Sequence, residues 1–145
     1  MAKKTTFEKK LMIGGQALVK LGSSRHTLDV DYLIKDLNSK YPFSHDKLTD
    51  TDYCNANGSQ FFADVWQMEI KNNGEIASPQ ALLELKAFAY AQHCLNGFFK
   101  KADDAEFDIK FLVREFNLKA LKIAKKYISK TELVAINNII KAVKK

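Results

Sequence analysis

The chain has 145 residues, 46% of them hydrophobic and 28% charged, with a formal net charge of +6. That length supports one domain with a real core, and the ordinary globular composition excludes a disordered or fibrous chain. No apolar run is long enough to cross a bilayer, which excludes a helical membrane protein.

In chain order, a short lead-in from residue 6 precedes a strand near residues 10–13 and a helix over 15–21, closed by Gly22. Residues 29–34 alternate Asp29, Val30 and Asp31 with Leu28, Leu33 and Ile34 nearby and read as a second strand. Residues 38–60, rich in Asn, Ser, Asp and Thr and containing Pro42, read as a loop with at most a short strand or turn. Residues 60–70, with Phe61, Phe62, Val65, Trp66 and Ile70, read as one or two strands ending in the turn Asn72-Asn73-Gly74.

From residue 78 the pattern becomes helical. Ser78 is placed to cap a helix, Pro79 fits its first turn, and Gly97 can close it. A further helix carries Asp103 and Asp104 near its start and Phe107, Phe111 and Leu112 beyond. Residues 117–128 read as another helix. Ser129-x-x-Glu132 is a capping box for the last one, whose apolar stripe is Leu133, Ile136, Ile139 and Ile140. The expected fold is α+β within a single domain, residues 1–145. A small mixed sheet with flanking helices occupies 1–77, and a helical half occupies 78–145.

The opening Met1-Ala2-Lys3-Lys4 carries no apolar leader. Cys54 and Cys94 lack metal or disulfide spacing and read as free thiols of a reducing compartment. A cytoplasmic location without membrane attachment is expected. His26, His45 and His93 share no ligand spacing with Cys or Glu, so no zinc site is expected. The positive charge is concentrated late: residues 117–145 hold eight lysines and one acid. Clustered lysine can bind a polyanion such as nucleic acid, or simply form a solvated face.

The chemistry concentrates between residues 13 and 31. On a strand, Asp29 and Asp31 point to one face about 7 Å apart. Aspartate is depleted in strands and two on one face repel, so the pair suits a divalent cation such as Mg²⁺, a hard ion that prefers oxygen ligands. Gly14-Gly15 lies at a strand-to-helix turn where backbone N–H groups can face a phosphate. Gln16 opens that helix and either touches phosphate or is solvated. Arg25 offers a planar fork that suits phosphate oxygens, and Thr27 buttresses the turn before the strand.

At these residues the chain resembles the nucleotidyltransferase superfamily, the polymerase-β-like fold: a glycine pair, a short helix, then Asp-hydrophobic-Asp. Gly14, Gly15, Asp29 and Asp31 carry the likeness, and Arg25-x-Thr27-x-Asp29 is similar to the abortive-infection branch, which includes toxin-like transferases of bacterial toxin–antitoxin systems. A second block is similar to the same branch: Ser78-Pro79, Leu82-Leu83-x-Leu85-Lys86, Asp104 and Asp108-Ile109-x-Phe111-Leu112. The resemblance implies a third carboxylate on a later strand, assigned to Asp64 with Glu69 as the alternative, and a triphosphate-facing Lys86.

It also implies an activity: transfer of a nucleoside monophosphate from an NTP to a hydroxyl acceptor. Asp29, Asp31 and Asp64 would hold two Mg²⁺ ions roughly 3.5–4 Å apart, and Gly14, Gly15, Gln16, Arg25 and Lys86 would hold the nucleotide. The acceptor would be an RNA or tRNA end, a protein or a small molecule, and an antitoxin partner is implied by the toxin-like branch. The alternative is a degenerate fold that binds nucleotide or a partner without turnover.

Overall fold

The computed structural model describes residues 9–25 and 27–143; His26 and the lead-in at residues 6–8 lie outside them. Four strands, β1 (Leu11–Ile13), β2 (Val30–Ile34), β3 (Phe43–Asp46) and β4 (Thr51–Asn55), form one mixed sheet in the order β1-β2-β4-β3. The β1–β2 and β3–β4 pairs are antiparallel, and β2 and β4 run parallel. Among the described residues, five α-helices accompany the sheet: α1 (Gly14–Lys20), α2 (Gln60–Met68), α3 (Pro79–Leu95), α4 (Phe99–Phe116) and α5 (Lys130–Val143). The fold is the expected α+β: a small mixed sheet with flanking helices, then a helical C-terminal half.

Local chemistry sets most boundaries as the sequence implied. Ser78 caps α3 through its hydroxyl, which accepts from the Ala81 N–H at 3.2 Å, and Pro79 follows in the first turn. Gly97 closes that helix at φ +74° and Gly22 follows α1 at φ +107°. Ser129 caps α5 as the expected capping box implied, its hydroxyl accepting from the Glu132 N–H, while the Glu132 carboxylate takes that hydroxyl and not the Ser129 backbone N–H. Ile136, Ile139 and Ile140 then turn inward. The core joins Leu11, Leu18 and Leu33 of the sheet layer to Val65, Leu82, Ile109 and Leu112 of the helices, all fully buried.

Three segments differ from expectation. Residues 60–68 are a helix, not strands. Ser59 caps it, and Phe61, Phe62, Val65 and Trp66 are buried at helical spacing. The aromatic residues that suggested a sheet instead cover one from above. Residues 43–55, expected as a loop with at most a short strand or turn, hold the two-stranded β3–β4 hairpin, in which Thr51, Tyr53 and Asn55 are buried and Asp52 is exposed. Residues 117–128 form an irregular strap with a single 3-10 turn at Ala124–Lys126 instead of a helix. The carboxylate of Glu84, fully buried on α3, accepts the backbone N–H groups of Lys122 (2.7 Å), Ile123 (2.9 Å) and Ala124 (2.8 Å). A side chain from elsewhere in the chain thus satisfies donors that a helix would have paired locally.

Candidate functional site

The glycine pair is explained by what lies against it. Gly14 sits at φ +75°, and a Cβ there would come within 2.3 Å of Asp31 Oδ2. A Cβ on Gly15 would lie 2.4 Å from Thr27 Cγ2. Only bare backbone at both positions lets the β1–α1 turn close against the second strand and its approach. One polar contact crosses this closure, and a second, local one orders the approach itself. The Gln16 side-chain amide donates to the Thr27 carbonyl, and the Asp29 N–H donates to Thr27 Oγ1 at 3.2 Å. Thr27 is therefore the buttress that the sequence suggested, and Gln16 is engaged with the backbone.

Above the sheet lies a cleft of about 700 Å³, walled by β2–β4–β3 on one side and by α3 and α4 on the other. Asp29, one residue before β2, and Asp31, within it, both line this cleft. They are joined by Asp52. In the parallel β2–β4 register Asp31 stands directly opposite Asp52, so the two side chains leave the sheet from one face. The Asp31 carboxyl is pushed up from its ordinary 3.8 to about 6, chiefly by burial and then by the neighbouring Asp52, with Asp29 adding and Lys86 opposing. Below about pH 6 the Asp31 carboxyl therefore keeps its proton beside Asp52. Their oxygens form the hard donor set that Mg²⁺ takes, so these residues fit such an ion. Among the described residues, no three His, Cys, Asp or Glu side chains are already gathered around one metal-sized point.

The opposite wall supplies cations organised by one buried acid. Asp108 of α4 is fully buried, and its Oδ2 accepts from the Arg25 guanidinium and from Lys86 Nζ, the latter at 2.9 Å. Its second oxygen has no hydrogen-bond partner among the described residues. Arg25 also reaches toward Asp104 at 4.0 Å. Arg25 and Lys86 thus enter the cleft from the β2 approach and from α3, fixed by a third element. His93, at the same wall, is pushed below its ordinary range by burial and by Lys101 and Lys86, so it is neutral at pH 7.

Along the sheet, the row after Asp31–Asp52–His45 is Leu33–Cys54–Phe43. Phe43 meets Phe62 edge-on at 5.5 Å, Phe62 meets Phe61 at 5.7 Å, and Phe61 stacks on Phe88 at 4.3 Å. The cleft therefore has a charged end and an aromatic end. Burial pushes the Cys54 thiol between them up to about 12, with Asp31 and Asp52 adding, so it is a neutral lining group.

Gly14, Arg25, Asp29, Asp31 and Lys86 line one cleft, and Gly15 and Gln16 support it from behind. Asp64 and Glu69 are placed elsewhere. Asp64 lies on α2 rather than on a strand, its carboxylate accepting from the Tyr127 hydroxyl and from Gln60 at 2.9 Å. Glu69 is buried and accepts from the Ser78 N–H and hydroxyl at 2.5 and 2.8 Å, tying the end of α2 to the start of α3. The carboxylate brought beside Asp31 is Asp52. The signal for it was the alternation in Thr51-Asp52-Tyr53-Cys54-Asn55, hidden by the polar residues on both sides.

Among the described residues, no helix is long and apolar enough to cross a membrane. No protein family, curated protein or solved structure matches this chain.

Proposed function

We propose that the protein transfers a nucleoside monophosphate from an NTP to a hydroxyl acceptor, with Mg²⁺ as cofactor. The observation that carries this reading is the Asp31–Asp52 pair, held on adjacent parallel strands and facing Arg25 and Lys86 across one cleft. Asp31 and Asp52, with Asp29 at the rim, would hold magnesium, which when bound neutralises phosphate charge and acidifies the acceptor hydroxyl. Arg25 and Lys86 complement the triphosphate, and Asp108 keeps both in position without filling the cleft. The apolar row at Cys54 and Phe43 offers a face for the base. Catalysis of this kind is positioning and charge neutralisation, which these groups can supply.

The acceptor is a hydroxyl of RNA or tRNA, of a protein or of a small molecule, and an antitoxin-like partner would act by covering the cleft. Two free thiols fit a reducing cytoplasm. The absence of a ready-made three-acid metal group among the described residues favours a second reading, a module that binds nucleotide without turnover.

Thermal melting with each NTP, with and without Mg²⁺, tests the proposal. A bound nucleotide at a hundred times its Kd should stabilise the fold by about 2.7 kcal/mol. Asp31→Asn and Asp52→Asn should each abolish the Mg²⁺-dependent part, while Asp64→Asn should leave it intact. If Asp52→Asn retained the full effect, the assigned site would be wrong. Release of pyrophosphate separates turnover from binding alone.

A further inference from the structure

The strap between α4 and α5 is rich in lysine and has no part in the carboxylate cleft. The strap and the first turn of α5, residues 117–131, carry five lysines, at 119, 122, 125, 126 and 130, and no acid; the next acid in the chain, Glu132, is engaged by Ser129. All five are exposed, and none has an ion-pair partner among the described residues. The one carboxylate that feels Lys126, Asp64, is already taken by Tyr127 and Gln60.

A solvated lysine loop needs no scaffold, but this one has an elaborate scaffold. The fully buried Glu84 carboxylate takes three consecutive backbone N–H groups of the strap and the Gln80 amide (2.7 Å), and that amide also donates to the Ala120 carbonyl at 3.0 Å. Downstream, Tyr127 bonds Asp64 on α2 and meets Phe61 edge-on at 5.5 Å, and Phe61 stacks at 4.3 Å on Phe88 of the cleft wall. The strap is thus pinned across α3 and α2, one ring away from the cleft. Its apolar residues Leu121, Ile123 and Ala124 are buried, and it exposes no large hydrophobic side chain.

We propose that this strap binds the phosphodiester backbone of a nucleic acid. Fixed, unpaired cations complement regularly spaced phosphates through counterion release. Protein interfaces are instead depleted in lysine and centred on aromatic or arginine anchors, and amphipathic membrane anchors join exposed apolar side chains to their cations. The strap has neither. This inference does not depend on the nucleotidyl-transfer reading, since the surface would bind nucleic acid with or without a working metal site.

The test uses the full chain and a fluorescent mixed-sequence RNA of roughly 20 nucleotides, with DNA of the same sequence as a second arm, over a salt series. Five neutralised phosphates predict a slope of log K on log salt near about −3.5 for single strands, or roughly a hundredfold loss between 50 and 200 mM. Changing all five lysines to Gln alters only exposed side chains; at unchanged melting temperature it should weaken binding at least about tenfold and flatten the slope by about 3. Glu84→Gln keeps every lysine but loosens the staple, and in a folded variant it should weaken binding severalfold. RNA affinity and slope unchanged in the five-lysine variant would overturn the proposal. So would absence of RNA and DNA binding by the wild type, or equal affinity for polyglutamate or for phosphatidylserine vesicles. Loss of magnesium–NTP stabilisation in Asp52→Asn with RNA binding intact supports the strap as a separate site.

Discussion

Replacing Asp31 by Asn should make the metal-free protein more stable at neutral pH, although it destroys the proposed metal site. Asp31 is partly buried opposite Asp52, and its carboxyl is pushed from 3.8 to about 6. The folded state therefore holds the proton more tightly than the unfolded chain does. Well below pH 4 Asp31 is protonated in both states and carries no penalty; between about 4 and 6 the unfolded chain ionises while the folded state keeps its proton, so stability falls, and above 6 the full penalty is present. A two-unit difference corresponds to about 3 kcal/mol before screening. Solvent reaches part of this carboxyl, so about 1–1.5 kcal/mol is the working figure. Asparagine keeps the shape, can hydrogen-bond Asp52 and removes the charge. At pH 7.5 without metal, Asp31→Asn should melt about 2–6 °C higher than wild type. The gap should close near pH 4 and narrow when Mg²⁺ is added to the wild type. A variant no more stable than wild type at pH 7.5, or a gap that persists at pH 4, would refute the paired-carboxylate account.

Gly15→Ala should destabilise by about 1–3 kcal/mol because its methyl would enter the space of Thr27 Cγ2. Adding Thr27→Ser removes that methyl and should restore wild-type stability or better, since alanine favours a helix over glycine by about 1 kcal/mol; urea unfolding of the single and double variants decides it. Asp108→Asn should cost about 3–5 kcal/mol by leaving Arg25 and Lys86 without their buried anion. Asp104→Asn, at the exposed edge of the same cluster, should cost under about 1 kcal/mol in the same denaturation assay.

What the sequence determined by itself is local. Ser78, Pro79 and Gly97 bound α3 through capping chemistry that involves only neighbouring residues. Ser129 and Glu132 start α5 in the same way, and the glycine pair with alternating Asp29 and Asp31 marked one side of the cleft before any packing was known. What only the tertiary structure decided depends on partners distant in sequence. Phe61, Phe62, Val65 and Trp66 suit a strand or a helix equally, and burial over the sheet selects the helix. That choice carries Asp64 to Tyr127 and leaves the place beside Asp31 to Asp52, which only strand pairing across twenty-one positions could bring there. Residues 117–128 have helical composition, yet Glu84 takes three of their backbone donors, because a buried carboxylate needs hydrogen bonds that these backbone N–H groups can give and a local helix would have withheld.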